Sequence, residues 1–111
     1  MKIWLDDERE LELWKSRLDY LGNDWIWVKT AEEAIKCLET GTVTHISFDH
    51  DLGTSLTGYD VAKWIEEKAA HGKCSRLQWM VHTANPVGSI GIRLALLSAE
   101  TFWSSQEAAR N

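Results

Sequence analysis

Ile46-Ser47-Phe48 runs without a break into Asp49-His50-Asp51-Leu52-Gly53. A short apolar run that ends in two acids around an imidazole, with glycine close behind, reads as a strand emerging into a loop. Side chains so placed stand at the carboxyl end of a sheet, which in open α/β sheets is where ligands bind. The same form occurs twice more. Ile3-Trp4-Leu5 leads into Asp6-Asp7-Glu8-Arg9, and Trp79-Met80-Val81 leads into His82-Thr83-Ala84-Asn85-Pro86. Three strands that each end in polar chemistry imply one shared site.

Between these runs the periodicity turns helical. Met1 to Leu5 is expected as the first strand and Glu10 to Leu21 as a helix, with Leu11, Trp14, Leu18 and Leu21 on one face and Gly22 to end it. Trp25 to Val28 is a second strand. Thr30 and Glu33 form a capping-box signature ahead of a helix with Ala31, Ala34, Ile35 and Leu38 inward and Gly41 at its close. His45 to Phe48 is the third strand. Thr57 and Asp60 resemble a second capping box, opening a helix with Val61, Trp64, Ile65 and Ala69 inward and Gly72 after it. Leu77 to Val81 is the fourth strand. Asn85 is an N-cap with Pro86 at the first helical position, and Ile90, Leu94 and Leu97 are expected to form the inner face of the last helix. That helix is expected to reach Phe102 or Trp103, with Ser104 to Asn111 as a frayed polar end.

Strand and helix thus alternate four times, which implies a parallel sheet with right-handed crossovers and helices on both faces. The expected strand order is 2-1-3-4, which sets the ends of strands 1 and 3 side by side, with strand 4 next to strand 3. At 111 residues the chain is expected to be one domain spanning 1–111. It has no apolar run near the roughly 18 residues that a membrane span needs, and the early turn to acid after Leu5 is unlike a signal peptide. The two cysteines, Cys37 and Cys74, show no redox or zinc spacing, so a cytoplasmic location is expected. The net charge of −5 argues against broad, non-specific nucleic-acid binding. It leaves room for a small phosphate compound or a single RNA terminus held locally.

The predicted crevice collects Asp6, Asp7, Asp49, His50, Asp51 and His82. Asp6, Asp7, Asp49 and Asp51 in one place repel one another unless a cation or proton intervenes, and oxygen-rich carboxylate sites suit Mg²⁺ or Mn²⁺. Acids after strand 1 also suit the start of a helix. His50 and His82 at adjacent strand ends can form an acid–base pair across a phosphodiester, or can ligate a metal or bond to the backbone. Thr83 can donate to a phosphoryl oxygen. Asn85 can serve as a cap or a ligand contact, with the Val87 and Gly88 amides beyond it open to an anion. Arg9 can neutralise a phosphate or stand in solvent. Thr54, Ser55 and Thr57 read as turn chemistry, and His45 and His71 as structural or exposed.

The pattern resembles a receiver domain of the two-component type, with Asp6-Asp7 as the acidic pair, Asp49 as the phosphorylatable aspartate and Thr83-Ala84 after strand 4. A receiver's fifth strand, its preceding lysine and its fifth helix have no counterpart. The fold this implies is a flavodoxin-like three-layer α/β sandwich with four parallel strands. A closer resemblance runs through Lys2 to Arg9, Ile46 to Gly53, Thr57 to Ala62 and His82 to Gly88. On those four pieces in order the chain resembles the receiver-like family named for cyclic-phosphate processing. That resemblance implies a phosphoesterase-like enzyme that opens or trims cyclic phosphates, such as 2′,3′-cyclic RNA ends. Its site would be Asp6, Asp7, Asp49, His50, Asp51, His82 and Asn85. The aspartates would hold a divalent ion, Asp49, His50 and His82 would do the chemistry, and Arg9, Thr83 and Asn85 would bind substrate. Two other classes are a non-catalytic module that binds a cyclic nucleotide or phosphorylated end, and a divergent receiver acting as a protein-interaction switch.

Overall fold

The computed structural model describes residues 1–7 and 25–110. Four short strands, β1 (Lys2–Leu5), β2 (Trp25–Val28), β3 (His45–Phe48) and β4 (Gln78–Val81), alternate with three helices. These are α1 (Ala31–Glu39), α2 (Gly58–Ala70) and α3 (Pro86–Ala109). The helix expected over Glu10–Leu21, its stop at Gly22, and Arg9 lie outside the described residues. The sheet is parallel throughout in the expected order β2-β1-β3-β4.

The register is what builds the site. Leu5 lies opposite Val28 and Phe48, and Phe48 opposite Val81, so all four strands stop at one level. Hydrogen bonding then continues one step past the strands. The amides of Asp6, Asp49 and His82 donate to the carbonyls of Val28, Leu5 and Phe48 at 3.0, 2.9 and 2.9 Å. The first polar residue after each of three strands is therefore pinned by its backbone before its side chain does anything.

Side chains alternate across a sheet with period two. Ile3, Leu5, Ile46 and Phe48 share one core cluster with Ala31, Ala34 and Leu38 of α1, Val61, Ile65 and Ala69 of α2, and Ile92, Leu96 and Ala99 of α3. The three described helices thus cover a single face. The opposite face carries Trp4, packed with Trp25, Trp27 and Met80. By the same parity Asp6, Ser47, Asp49 and His82 belong to that tryptophan face.

Both expected N-caps in the middle of the chain form. The Glu33 amide donates to Thr30 Oγ1 at 3.1 Å, and Asp60 Oδ2 accepts the Thr57 amide at 2.7 Å. The last helix corrects the sequence reading in two respects. Ile90, Leu94 and Leu97 are 60, 64 and 49 % exposed, whereas Ile92, Ala95, Leu96, Ala99 and Trp103 are buried. α3 carries two apolar stripes, and the one that packs contains the small residues Gly88, Ala95 and Ala99, which let the helix lie close to its neighbours. The helix also continues to Ala109 rather than fraying after Trp103. Its last turns are tied down by Arg76, which bonds to Glu107 and Ser104, by Gln106 Nε2 on the Ala69 carbonyl at 2.7 Å, and by Trp103 Nε1 on the Cys74 carbonyl at 2.7 Å.

Candidate functional site

At the carboxyl edge of the sheet lies a cavity of about 270 Å³ lined by Asp6, Asp7, Asp49, Asp51, Gly53, Thr83, Ala84 and Asn85. One carboxylate oxygen from each of Asp6, Asp7 and Asp49 falls within 4.8 Å of the others. Asp6 is fully buried and Asp49 only 9 % exposed. At that separation each pair of charges repels by roughly 3.5 kcal/mol at an effective dielectric of about 20, so a counter-charge stabilises the arrangement. The donors are all hard carboxylate oxygens on a cavity that also admits water. That donor set fits Mg²⁺ or Mn²⁺ rather than a metal that prefers nitrogen or sulfur.

Asp51 lines the cavity but stands apart from the group of three. Its Oδ1 accepts from His50 Nδ1 at 3.0 Å, and its Oδ2 lies 3.4 Å from Asn85 Nδ2. The hydrogen bond from His50 holds the Asp51 carboxyl below the usual carboxylate range against the opposing effect of desolvation, and Asn85 adds a smaller lowering. Gly53 brings the following loop against the cavity. It adopts φ +69°, and a Cβ there would stand 2.9 Å from Asp7 Oδ2, so a side chain would crowd the acid as well as strain the turn.

Neither histidine lines the cavity. His50 sits against the first turn of α3, where Gly88 leaves the space for its ring and any β-carbon would overlap it. His82 lies on the tryptophan face, with only 7 % of its side chain exposed. Its ring stacks on Trp4 with centroids 3.7 Å apart and planes 7° from parallel. Nδ1 is 2.7 Å from Ser47 Oγ and Nε2 is 3.0 Å from Asp6 Oδ2. The two imidazoles therefore flank the acids from different sides, each bonded to a carboxylate that reaches the cavity.

Thr83 and Asn85 both line the cavity. Thr83 Oγ1 accepts the Asn85 amide at 3.2 Å, which leaves its hydroxyl hydrogen to be donated. Asn85 caps α3 by accepting the Gly88 amide on Oδ1 at 3.0 Å. That bond uses the Gly88 donor expected to be open to an anion. Arg9 lies outside the described residues. Thr54 bonds to the Leu56 carbonyl and Thr57 to Asp60, both local turn bonds, and His45 and His71 bond to Thr44 and the Glu67 carbonyl away from the cavity.

The sequence reading missed Ser47, a fully buried hydroxyl in the middle of an apolar strand. Its signal was available, because a polar residue two positions before Asp49 must share that residue's face of the sheet.

Residues 1–98 match the profile of the cyclic-phosphate processing receiver domain. The chain belongs to that family. No curated protein and no solved structure matches it. The match spans every strand and every cavity-lining residue of the cyclic-phosphate processing receiver domain described here. It stops within α3. Among the described residues no helix is long and apolar enough to cross a membrane.

Proposed function

We propose that this receiver domain is a metal-assisted phosphoesterase that opens cyclic phosphates, such as the 2′,3′-cyclic end of an RNA or a cyclic nucleotide. The observation that carries this reading is the convergence of Asp6, Asp7 and Asp49 within 4.8 Å on a cavity that Thr83 and Asn85 also line. A phosphate cannot approach those acids unless their charge is offset. A divalent ion held by Asp6, Asp7 and Asp49 would offset it, polarise a phosphoryl oxygen and lower the pKa of a bound water.

The remaining roles fall to the chain's own residues. The Thr83 hydroxyl and the Asn85 amide donate to phosphoryl oxygens, and Arg9 is proposed as a further cation for the phosphate. Asp51, whose carboxyl His50 holds below its usual range, would accept a proton from the attacking water and return it to the leaving sugar oxygen as the new P–O bond forms and the ring P–O bond breaks. His50 and His82 act on that proton inventory through Asp51 and Asp6. The cavity is at or below the small end of ligand sites, which run from about 300 to 1,000 Å³. It suits a cyclic phosphate and part of its sugar, with the base outside. The free thiols Cys37 and Cys74 agree with action in the cytoplasm.

One observation favours a second reading. Because neither imidazole lines the cavity, the site also suits capture of a cyclic or terminal phosphate without turnover. Incubating wild type with 2′,3′-cyclic nucleotides and Mg²⁺ or Mn²⁺, alongside Asp49→Asn and His50→Ala, separates the two. Metal-dependent ring opening that Asp49→Asn abolishes and His50→Ala slows by about 10²–10⁴ is the enzyme outcome. Saturable binding with no product is the outcome for the binding module.

A further inference from the structure

Ser47 is fully buried in the third strand, between Trp4 of β1 and Met80 of β4 in the register. An unpartnered hydroxyl at such a position costs on the order of 1–3 kcal/mol, and alanine would fit without that penalty. Its oxygen is 2.7 Å from His82 Nδ1. His82 is clamped by its stack on Trp4 and reaches Asp6 Oδ2 through Nε2 at 3.0 Å.

We propose that Ser47 and His82 are positioning residues that hold Asp6 in the one orientation in which it can serve, with Asp7 and Asp49, as a ligand to a divalent ion. This rests on the metal reading above. The chemistry of the chain fixes the hydrogens. Ionised Asp6 can only accept, so Nε2 carries a hydrogen and donates it. In the neutral ring Nδ1 is then the acceptor, and the Ser47 hydroxyl donates to it. Asp6 thus sets the tautomer, Ser47 satisfies Nδ1 and holds the ring from behind, the tryptophan stack fixes the plane, and Nε2–H fixes the carboxylate. Partners of this kind behind a metal ligand typically carry 10–100-fold in affinity.

The test measures Mn²⁺ binding by electron paramagnetic resonance and calorimetry in wild type, Ser47→Ala, His82→Gln, His82→Phe and Asp49→Asn. Thermal melts of each check that the fold is retained. Nitrogen-15 spectra of the histidine rings report the tautomer without metal. The expected result is a His82 ring protonated on Nε2 in wild type and in Ser47→Ala alike, because Asp6 still accepts from it. Mn²⁺ affinity should fall about 10-fold in Ser47→Ala and by up to about 100-fold in His82→Phe. His82→Gln, whose amide can still donate to Asp6, should recover most of it. Ser47→Ala and His82→Phe that fold and bind Mn²⁺ within about two-fold of wild type, while Asp49→Asn does not bind, would overturn the positioning role alone. A wild type that takes up no Mn²⁺ at millimolar concentration would overturn the metal reading and this inference with it. A His82 ring protonated on Nδ1 would overturn the relay whatever the metal does.

Discussion

Replacing Asp49 by asparagine should make the metal-free protein more stable and the metal-loaded protein no more stable than that. The three carboxylate oxygens lie within 4.8 Å of one another, so Asp49 takes part in two of the three repulsions. Each is worth roughly 3.5 kcal/mol at an effective dielectric of about 20. Asp7 is partly exposed, and Asp6 is bonded by His82, so solvent and that bond absorb much of this. A net gain of about 1–3 kcal/mol is expected. Asparagine keeps the local bond that matters, because its side-chain oxygen can still accept the His50 amide that Asp49 Oδ1 accepts at 2.9 Å. For a domain of this size 1 kcal/mol moves the midpoint by about 4 °C, so in EDTA the variant should melt roughly 4–12 °C above wild type. Adding Mg²⁺ or Mn²⁺ at about 100 times its dissociation constant should raise wild type by about 2.7 kcal/mol, near 10 °C, and leave the variant unmoved. Calorimetric melts of both proteins, with EDTA and with each ion, decide the matter. If Asp49→Asn melts at or below wild type in EDTA and neither ion shifts wild type, the three acids are not a strained ligand set and the reasoning fails.

Two further outcomes follow from the geometry. Leu96→Ala should cost about 2–5 kcal/mol in urea unfolding as a large-to-small core change, while Leu94→Ser should stay within about 0.5 kcal/mol. Equal effects would mean that α3 packs by the stripe left exposed here. His50→Ala should raise the Asp51 carboxyl toward 3.8 by removing the main cause of its depression. A carboxyl depressed in the folded state adds stability that is present above its unfolded pKa and is lost as pH falls through the folded one. Carbon-13 titration of Asp51 should therefore move upward in the variant, and any effect on acid unfolding should be small because the Asp51 side chain is 69 % exposed. An unchanged Asp51 titration would show that His50 does not hold it.

Much of this architecture was decided by short-range pattern. Apolar runs of three or four residues that break into acids, separated by capped helical stretches, admit few arrangements other than a parallel sheet. The parallel rule then brings Asp6, Asp49 and Thr83 to one edge, because every strand of such a sheet points the same way. Thr30, Asp60 and Asn85 announced their helices because a cap is a bond over three residues, within reach of local sequence. The order β2-β1-β3-β4, one of several that such alternation admits, was expected and is the one found.

What the tertiary structure alone decided concerns choices between locally equivalent options. α3 carries two apolar stripes of similar strength, and only the close approach permitted by Gly88, Ala95 and Ala99 selects which one is buried. The polar segment from Ser104 to Ala109 has no apolar reason to stay helical. It does so because Arg76 and the Ala69 carbonyl, some thirty residues away in sequence, supply partners for Glu107 and Gln106. His82 could be placed at the end of a strand from the sequence, but not its neighbours. The register that sets Met80 beside Ser47, and Ser47 beside Trp4, turns the ring onto the tryptophan and points it at Asp6 rather than into the cavity. Capping and periodicity act over a few residues and survive in the linear chain, whereas a stack, a relay or a choice of face exists only once distant strands have fixed their register.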